Sequence, residues 1–265
     1  MPHLEQNGVR LYYEVHGPSS GTPLILTHGY SSTSQMWQGQ ITPLTKAGYK
    51  LIIWDMRGHG KTDYPSDQSA YSEAHTLSDI NAILDEVCGR GGSAIVGGLS
   101  LGGYMSLAFY RVHPQRVKAL LIIDTGPGFK KDAAREAWNK DAQGTAARFE
   151  RNGLSSLQNA SPERTMVTHR DATGLARAAR GMLAQRNSAV IESLPNIRVP
   201  SLVVVGSEDK PFLAASEYMV KKIPGAKKAI ILGAGHAANI DQPEVFNKAI
   251  LDFLQELRYE KNAKL

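Results

Sequence analysis

The sequence has a single cysteine, Cys88, and no long apolar stretch. One cysteine excludes an internal disulfide and a metal cluster built on several cysteines. No run reaches the roughly 18 apolar residues that a membrane-spanning helix needs. The first ten residues, MPHLEQNGVR, lack the basic region and following apolar stretch of a secretory signal. We therefore expect a cytoplasmic protein that does not associate with membranes.

The chain has a net positive charge, and one segment accounts for it. The 265 residues carry a formal net charge of +5, and residues 129–199 account for it with 12 Lys and Arg against 7 Asp and Glu. No basic tract is interleaved with aromatic residues, and no nucleic-acid-binding motif occurs. We expect a small-molecule partner and no nucleic acid, and the sequence leaves the oligomeric state open.

Signatures of metal and nucleotide sites are also missing. The histidines are scattered, and no His-Glu-x-x-His or paired-cysteine spacing occurs. No glycine-rich loop ends in Lys-Ser or Lys-Thr, and the glycine spacing fits the dinucleotide-binding pattern poorly. We expect no cofactor and no metal.

Short apolar runs alternate with amphipathic segments of helical length over most of the chain. Asn7-Gly8 is a two-residue turn signal, which predicts a hairpin over residues 3–16. The other runs are apolar on both faces, which is typical of parallel strands covered by helices. The predicted strands are 23–28, 50–55, 93–98, 117–124, 201–206 and 228–233, and the predicted helices are 73–89, 101–112, 212–222 and 243–258.

One long segment breaks this alternation. From Phe129 to Val199 the sequence is rich in alanine and arginine and contains no strand-like run. The segment is too long for a simple crossover between two strands. We predict an α/β core formed by residues 1–128 and 200–265, with residues 129–199 inserted as a helical cap over one end of the sheet.

The stretch GGLSLGG places Ser100 between a predicted strand and a predicted helix. Gly98-x-Ser100-x-Gly102 in this context is typical of a nucleophile elbow. The turn is so tight that side chains two positions before or after the serine would clash. It holds the serine in a strained backbone conformation with its hydroxyl above the sheet. The alternative is a glycine-rich turn with an unreactive serine.

A serine hydroxyl is a weak nucleophile until a base removes its proton and an acid orients that base. His236, in GAGHAANI, follows the last predicted strand, and Asp209, in GSEDKPF, follows the strand before it. The carboxyl ends of parallel strands share one edge of the sheet. We therefore predict a catalytic triad of Ser100, Asp209 and His236. Asp124, which also ends a strand, is the alternative acid.

These motifs resemble the α/β-hydrolase superfamily, in its serine-nucleophile branch. His28-Gly29 and the stretch WDMRGHGKT over residues 54–62 add to the resemblance, which runs almost end to end and is weaker in the cap. The family implies a mostly parallel sheet with helices on both faces and an inserted helical cap. It also implies an oxyanion hole made by the backbone N–H groups of Tyr30 and Leu101.

Structural roles are expected for the other polar residues near these motifs. We expect His28 to brace the oxyanion loop, and Asp55, Arg57 and His59 to fix the turn of DMRGHG by hydrogen bonds. Asp241 is expected to cap the last helix.

Serine at the elbow favours acyl chemistry, because dehalogenases and epoxide hydrolases of this fold place aspartate there. The elbow and the small cap resemble carboxylesterases and enol-lactonases, so the leading hypothesis is ester or lactone hydrolysis through an acyl-enzyme on Ser100. A C–C bond hydrolase and a cofactor-free perhydrolase or haloperoxidase use the same triad and stay open. A hydrolase-fold receptor that binds a ligand without turnover is a further alternative. The acyl-chain length and the natural substrate are also left open.

Overall fold

The computed structural model describes residues 3–158 and 160–262. Its centre is an eight-stranded sheet in which β1 and β2 are antiparallel, β2 and β4 are antiparallel, and all other neighbours are parallel. The strands are β1 His3–Gln6, β2 Val9–His16, β3 Thr22–Thr27, β4 Tyr49–Trp54, β5 Ala94–Leu99, β6 Val117–Ile123, β7 Ser201–Gly206 and β8 Lys227–Ile231. Their spatial order is β1-β2-β4-β3-β5-β6-β7-β8. The predicted α/β fold with a mostly parallel sheet is confirmed.

Ten α-helices accompany the sheet in the part of the chain that the structure describes. They are α1 Gln38–Lys46, α2 Glu73–Cys88, α3 Leu101–Val112, α4 Asp132–Asn152, α5 Pro162–Thr165, α6 Ala172–Ala178, α7 Ala189–Ser193, α8 Lys210–Lys222, α9 Ala238–Asp241 and α10 Pro243–Asn262. The four predicted helices correspond to α2, α3, α8 and α10. The sequence analysis did not identify α1, which has Pro43 in its interior.

The predicted hairpin at the start of the chain is present. Asn7 and Gly8 connect β1 to β2, and both have positive φ angles, of 51° and 71°. Two positive φ angles are what a tight hairpin turn with the right-handed twist of the strands requires. Asparagine and glycine are the residues that adopt this conformation most readily.

Apolar side chains cover both faces of the sheet. Ile95 and Val96 are neighbours on β5, so their side chains point to opposite faces. Val96 belongs to a cluster with Ile80 of α2 and Met105 of α3. Ile95 belongs to a second cluster, which contains Phe246 of α10. Strands buried in this way hold their carboxyl ends in fixed positions at one edge.

The segment between β6 and β7 is helical. Helices α4 to α7 lie in it, and its described residues, 124–158 and 160–200, form no strand. It contacts the loop after β3, since Tyr30 Oη donates to the Leu175 carbonyl at 2.8 Å and Ser32 Oγ donates to the Glu163 carbonyl at 2.6 Å. The division into a core and a cap of residues 129–199 stays a prediction. Within the described ranges, no helix combines the length and the apolar character required to cross a bilayer.

A buried ion pair joins the turn after β4 to α2. Nε and Nη2 of Arg57 each donate to a carboxylate oxygen of Asp79 at 2.7 Å. The side chains are only 2% and 1% exposed. Two parallel hydrogen bonds between charged groups form a strong and directional contact. Arg57 thus fixes the turn, as expected from the sequence. It does so by bonding to α2, which lies outside the DMRGHG motif.

Removing one partner of this pair leaves a buried charge without compensation. We expect Asp79→Ala to lower the free energy of unfolding by about 3–5 kcal/mol, measured by urea denaturation. The matched control is Asp252→Ala on α10, which breaks an exposed pair with Lys248. Exposed pairs of this kind contribute about 0.2–1 kcal/mol. Equal losses in the two variants would contradict this account of the turn.

Candidate active site

The turn between β5 and α3 holds Ser100 in a strained conformation. Its φ is 55° and its ψ is −116°, a region that residues with a side chain rarely occupy. The backbone around it is tightly packed. A Cβ added to Gly98 would lie 2.5 Å from the Thr27 carbonyl oxygen, and one added to Gly102 would lie 2.1 Å from it. The tight turn expected from GGLSLGG is therefore present, and only glycine fits at its two flanking positions.

His236 and Asp209 are hydrogen-bonded to each other. His236 lies between β8 and α9, and Asp209 lies between β7 and α8. The distance from His236 Nδ1 to Asp209 Oδ2 is 2.8 Å, and the Asp209 side chain is 5% exposed. A carboxylate can only accept, so Nδ1 carries the proton and Nε2 is left as the basic nitrogen. The pair has the arrangement of a general base with its orienting acid.

The carboxylate of Asp124, the alternative acid, accepts hydrogen bonds from two backbone N–H groups. Its Oδ1 accepts from the N–H of Gly206 at 2.7 Å, and its Oδ2 accepts from the N–H of Ala238 at 3.3 Å. The side chain is fully buried, and burial raises its pKa to about 8. Asp124 thereby links the end of β7 to the start of α9, and the imidazole of His236 pairs with Asp209.

Ser100 lines a cavity, and His236 contacts one side chain of its wall. No hydrogen bond joins Ser100 Oγ to the imidazole within the described residues. Phe212 of α8 connects the two, because it lines the cavity beside Ser100 and stacks on the His236 ring at 5.1 Å between centroids. Catalytic hydrogen bonds are often long before substrate binds. The structure thus brings Asp209 and His236 into contact, and Phe212 links this pair to the cavity that Ser100 lines.

Opposing effects act on the pKa of His236. Burial alone would lower it, but the hydrogen bond that His236 donates to Asp209 and the charges of Asp209, Asp124 and Glu163 outweigh burial and raise the pKa above 6.5. Glu163, in α5, is only 2% exposed. The sequence analysis did not identify this carboxylate, because it lies in a helical segment without a motif.

Two backbone N–H groups beside Ser100 have no hydrogen-bond partner among the described residues. They belong to Tyr30 and Leu101, the predicted oxyanion donors. The loop that carries Tyr30 lies close to Ser100, since a Cβ added to Gly29 would lie 3.5 Å from the Ser100 Cβ. Leu101 is the first residue of α3, where the helix dipole favours negative charge. Both groups are therefore available to a developing oxyanion.

Neutral histidines brace the loop of Tyr30. His28 Nε2 accepts from the Met56 N–H at 3.0 Å. His59 Nε2 accepts from the N–H of Ser31 at 3.1 Å. His169 Nε2 donates to the Ser31 carbonyl at 3.1 Å. Burial lowers the pKa of His28 and of His169 to about 4 and that of His59 well below 6.5, so all three are uncharged near neutral pH.

His28 braces the loop as expected from the sequence. His59 fixes the DMRGHG turn as expected, since its Nδ1 donates to the Arg57 carbonyl at 3.0 Å, and its bond with Ser31 was not predicted. His169 precedes α6 and was not identified, because no motif marks it. Asp55 also fixes its turn as expected, since its carboxylate accepts from the N–H groups of Ser34 and Lys61 at 2.7 and 2.8 Å.

The expected role of Asp241 is wrong. Helix α10 begins at Pro243, and Asp241 belongs to α9 instead of capping α10. Its Oδ2 accepts from the N–H of Gly235 at 2.8 Å, and Gly235 immediately precedes His236. Asp241 therefore holds the loop that carries the imidazole.

A cavity of about 290 Å³ opens beside Ser100. Its walls are mainly apolar and combine the turn after β6 with side chains from α4, α8 and the helical turn after α6. They include Phe129, Trp138, Leu183, Phe212 and Ala215. In the described ranges, no group of three or more His, Cys, Asp or Glu side chains is arranged to hold a metal ion.

Known proteins resemble this chain over nearly its full length. The putative 2-succinyl-6-hydroxy-2,4-cyclohexadiene-1-carboxylate synthase of Bacillus subtilis (strain 168) is 28% identical, over 95% of this chain and 97% of that protein. The 3-oxoadipate enol-lactonase 1 of Acinetobacter baylyi is 24% identical, over 96% of each. The solved structure of a thermophilic esterase from Thermogutta terrifontis superposes with a TM-score of 0.81 at 26% identity, covering 97% of this chain and 99% of the esterase.

The sequence also matches a family as a whole. Residues 24–249 match the alpha/beta hydrolase family, and this range contains the turn at Ser100, the Asp209–His236 pair and the Tyr30 loop. The strand order and the helices on both faces of the sheet agree with that match. The chain therefore belongs to the alpha/beta hydrolase family.

Proposed function

We propose that the protein is a serine hydrolase that cleaves carboxylic esters or lactones through an acyl-enzyme on Ser100. The observation that carries the proposal is the hydrogen bond between Asp209 and His236 at the sheet edge where the strained Ser100 emerges. A base oriented by an acid, together with a serine beside unpaired backbone donors, is the arrangement that acyl transfer requires.

The reaction follows from these groups in two stages. His236 Nε2 takes the proton of Ser100 Oγ as that oxygen attacks the ester carbonyl. The N–H groups of Tyr30 and Leu101 stabilise the resulting oxyanion, and one such donor contributes about 3–4 kcal/mol in other serine enzymes. When the C–O bond breaks, His236 returns the proton to the leaving alcohol. Water, deprotonated by His236, then releases the acid and restores the serine.

Ester and lactone substrates are favoured for chemical and comparative reasons. A lactone is a cyclic ester, so it opens by the same steps with its alcohol still attached to the acyl group. An enol-lactonase and an esterase are among the similar proteins. Since the relative from Bacillus subtilis is named a synthase, turnover of an ester must be measured directly.

The size and polarity of the cavity limit the range of substrates that it can bind. A volume of about 290 Å³ is near the lower end of the range of roughly 300–1,000 Å³ for ligand pockets. Its mainly apolar walls favour a carbon chain over a charged group. We propose short to medium acyl groups, to be compared as p-nitrophenyl esters of increasing chain length.

Ser100 is tested as the nucleophile by removing its hydroxyl. We expect Ser100→Ala to lower kcat for p-nitrophenyl butyrate by about a million-fold, because no acyl acceptor is left. A fluorophosphonate should label the parent protein once, on Ser100, and leave the variant unlabelled. Ser155→Ala, an exposed serine in the segment after α4, is the control and should keep full activity. A variant at Ser100 that retained a tenth of the activity would refute the assignment.

The two candidate acids are separated by matched substitutions. We expect Asp209→Asn to lower kcat by about ten-thousand-fold, because the imidazole loses its orienting carboxylate. Asp124→Asn should cost far less, since Asp124 accepts from backbone N–H groups and the new amide keeps one acceptor oxygen. Steady-state kinetics on the same ester measure both. The opposite ranking would assign the acid to Asp124.

The pH dependence of kcat/KM reports on His236 in the free enzyme. The imidazole must be neutral to accept a proton, and its pKa is raised, so activity should rise with pH around a midpoint above 6.5. Glu163→Gln removes a negative charge that raises this pKa, so it should move the midpoint to lower pH. A parent midpoint below 6.5, or an upward shift in the variant, would contradict the electrostatic account.

A further inference from the structure

The polar side chains in the wall of the cavity almost all have partners within the protein. The hydroxyl of Tyr104 donates to Glu73 at 3.0 Å, and the indole N–H of Trp138 donates to a backbone carbonyl at 2.8 Å. The hydroxyl of Thr125 donates to the carbonyl of Ser100 at 2.7 Å. These groups already form hydrogen bonds within the protein, so they have little capacity left to bond a substrate.

Apart from Ser100 itself, the exception among these described side chains is Gln185. It lines the same cavity, its residue is only 9% exposed, and its Oε1 has no hydrogen-bond partner among the described residues. Buried polar atoms in folded proteins are nearly always paired, because burial removes their hydration. An unpaired carbonyl oxygen in the cavity that Ser100 lines is therefore an acceptor that a bound molecule can satisfy.

The backbone of Gln185 is fixed by a neighbouring helix. Asn139 of α4 accepts from the Gln185 N–H at 2.7 Å and donates to the Gln185 carbonyl at 2.7 Å. The amide head lies against Gly128, where an added Cβ would come within 2.7 Å of Oε1. A side chain on a backbone that is fixed before binding has less conformational freedom to lose when its acceptor pairs. Gln185 thus has the properties of a built recognition group.

We infer that Gln185 Oε1 accepts a hydrogen bond from a hydroxyl on the acyl group of the substrate. The preferred substrates are then esters or lactones that carry a free hydroxyl on the acyl group, and simple fatty acyl esters are poorer. This inference rests on the proposed function, since it concerns the same cavity. A buried polar group discriminates strongly against an analogue that leaves it unpaired. Gln185 would be a specificity residue that the chemistry at Ser100 does not require.

The test compares pairs of p-nitrophenyl esters in which a methyl group replaces the hydroxyl. One pair is 3-hydroxyhexanoate and 3-methylhexanoate, and the other is 6-hydroxyhexanoate and heptanoate. In at least one pair we expect the parent protein to favour the hydroxy ester in kcat/KM by about tenfold, the size expected for one buried hydrogen bond. The preference should come mainly from KM.

Two variants at Gln185 and one matched control identify the group responsible. Gln185→Leu should abolish the preference, measured as the ratio of kcat/KM between the two esters of a pair in the same variant. The Asn139 bonds involve only the backbone of residue 185, so they remain. Gln185→Glu retains acceptor oxygens and should keep the preference. Gln255→Leu, on the exposed face of α10, should change nothing.

The outcomes separate this inference from the proposed function. Fluorophosphonate labelling of Ser100 and turnover of the plain hexanoate ester report on the proposed function alone, and labelling also shows that each variant is folded. If both are normal in the parent protein while neither hydroxy ester is preferred, the inference is wrong and the proposed function stands. A preference that survives Gln185→Leu would also overturn it. Absence of labelling and of hexanoate turnover would refute the proposed function itself.

Discussion

No side chain fits between the turn after β5 and the carbonyl of Thr27. The backbone approaches so closely that a Cβ on Gly102 would lie 2.1 Å from that oxygen. This packing keeps Ser100 at a positive φ, and the surrounding structure must supply the free energy that the strain costs. In return it fixes the hydroxyl above the sheet and the Leu101 N–H beside it. The oxyanion donor on the Tyr30 loop and the imidazole of His236 must be positioned relative to this turn for the proposed reaction.

Buried polar contacts hold those other groups in place around the turn. The loop of Tyr30 is tied to its surroundings by neutral histidines and by a hydrogen bond from its own side chain to the Leu175 carbonyl. Asp241 and Asp124 hold the loop of His236. Asp241 accepts from the N–H of the residue before His236, and Asp124, which follows β6, accepts from the N–H two residues after it. Because each contact reaches a different element, the site depends on the fold as a whole.

Much of this arrangement could be predicted from the sequence. Runs such as AIVGGL and SLVVVG are apolar on both faces and can only be buried strands, and a parallel sheet brings their carboxyl ends to one edge. Ser100, Asp209 and His236 each follow such a run within a few residues. Their location at one edge of the sheet therefore follows from topology, without any knowledge of side-chain contacts.

The helical segment between β6 and β7 shows why the rest could not be predicted. Glu163, His169 and Gln185 lie in short helices and connections without a motif, and their directions depend on how those helices pack. Asp241 was misassigned for a related reason, since the short helix α9 separates it from the start of α10. Local patterns predict elements, but contacts between elements require the three-dimensional structure.

The proposed reaction requires that Ser100 carries an acyl group during turnover. Rapid-quench mass spectrometry of the protein mixed with p-nitrophenyl butyrate, followed by peptide mapping, detects that group. We expect a transient butyryl group on the peptide that contains Ser100, formed with the first release of p-nitrophenol and lost as turnover proceeds. A butyryl group on another residue, or steady turnover with no acylated peptide under conditions in which acylation is faster than hydrolysis, would contradict it.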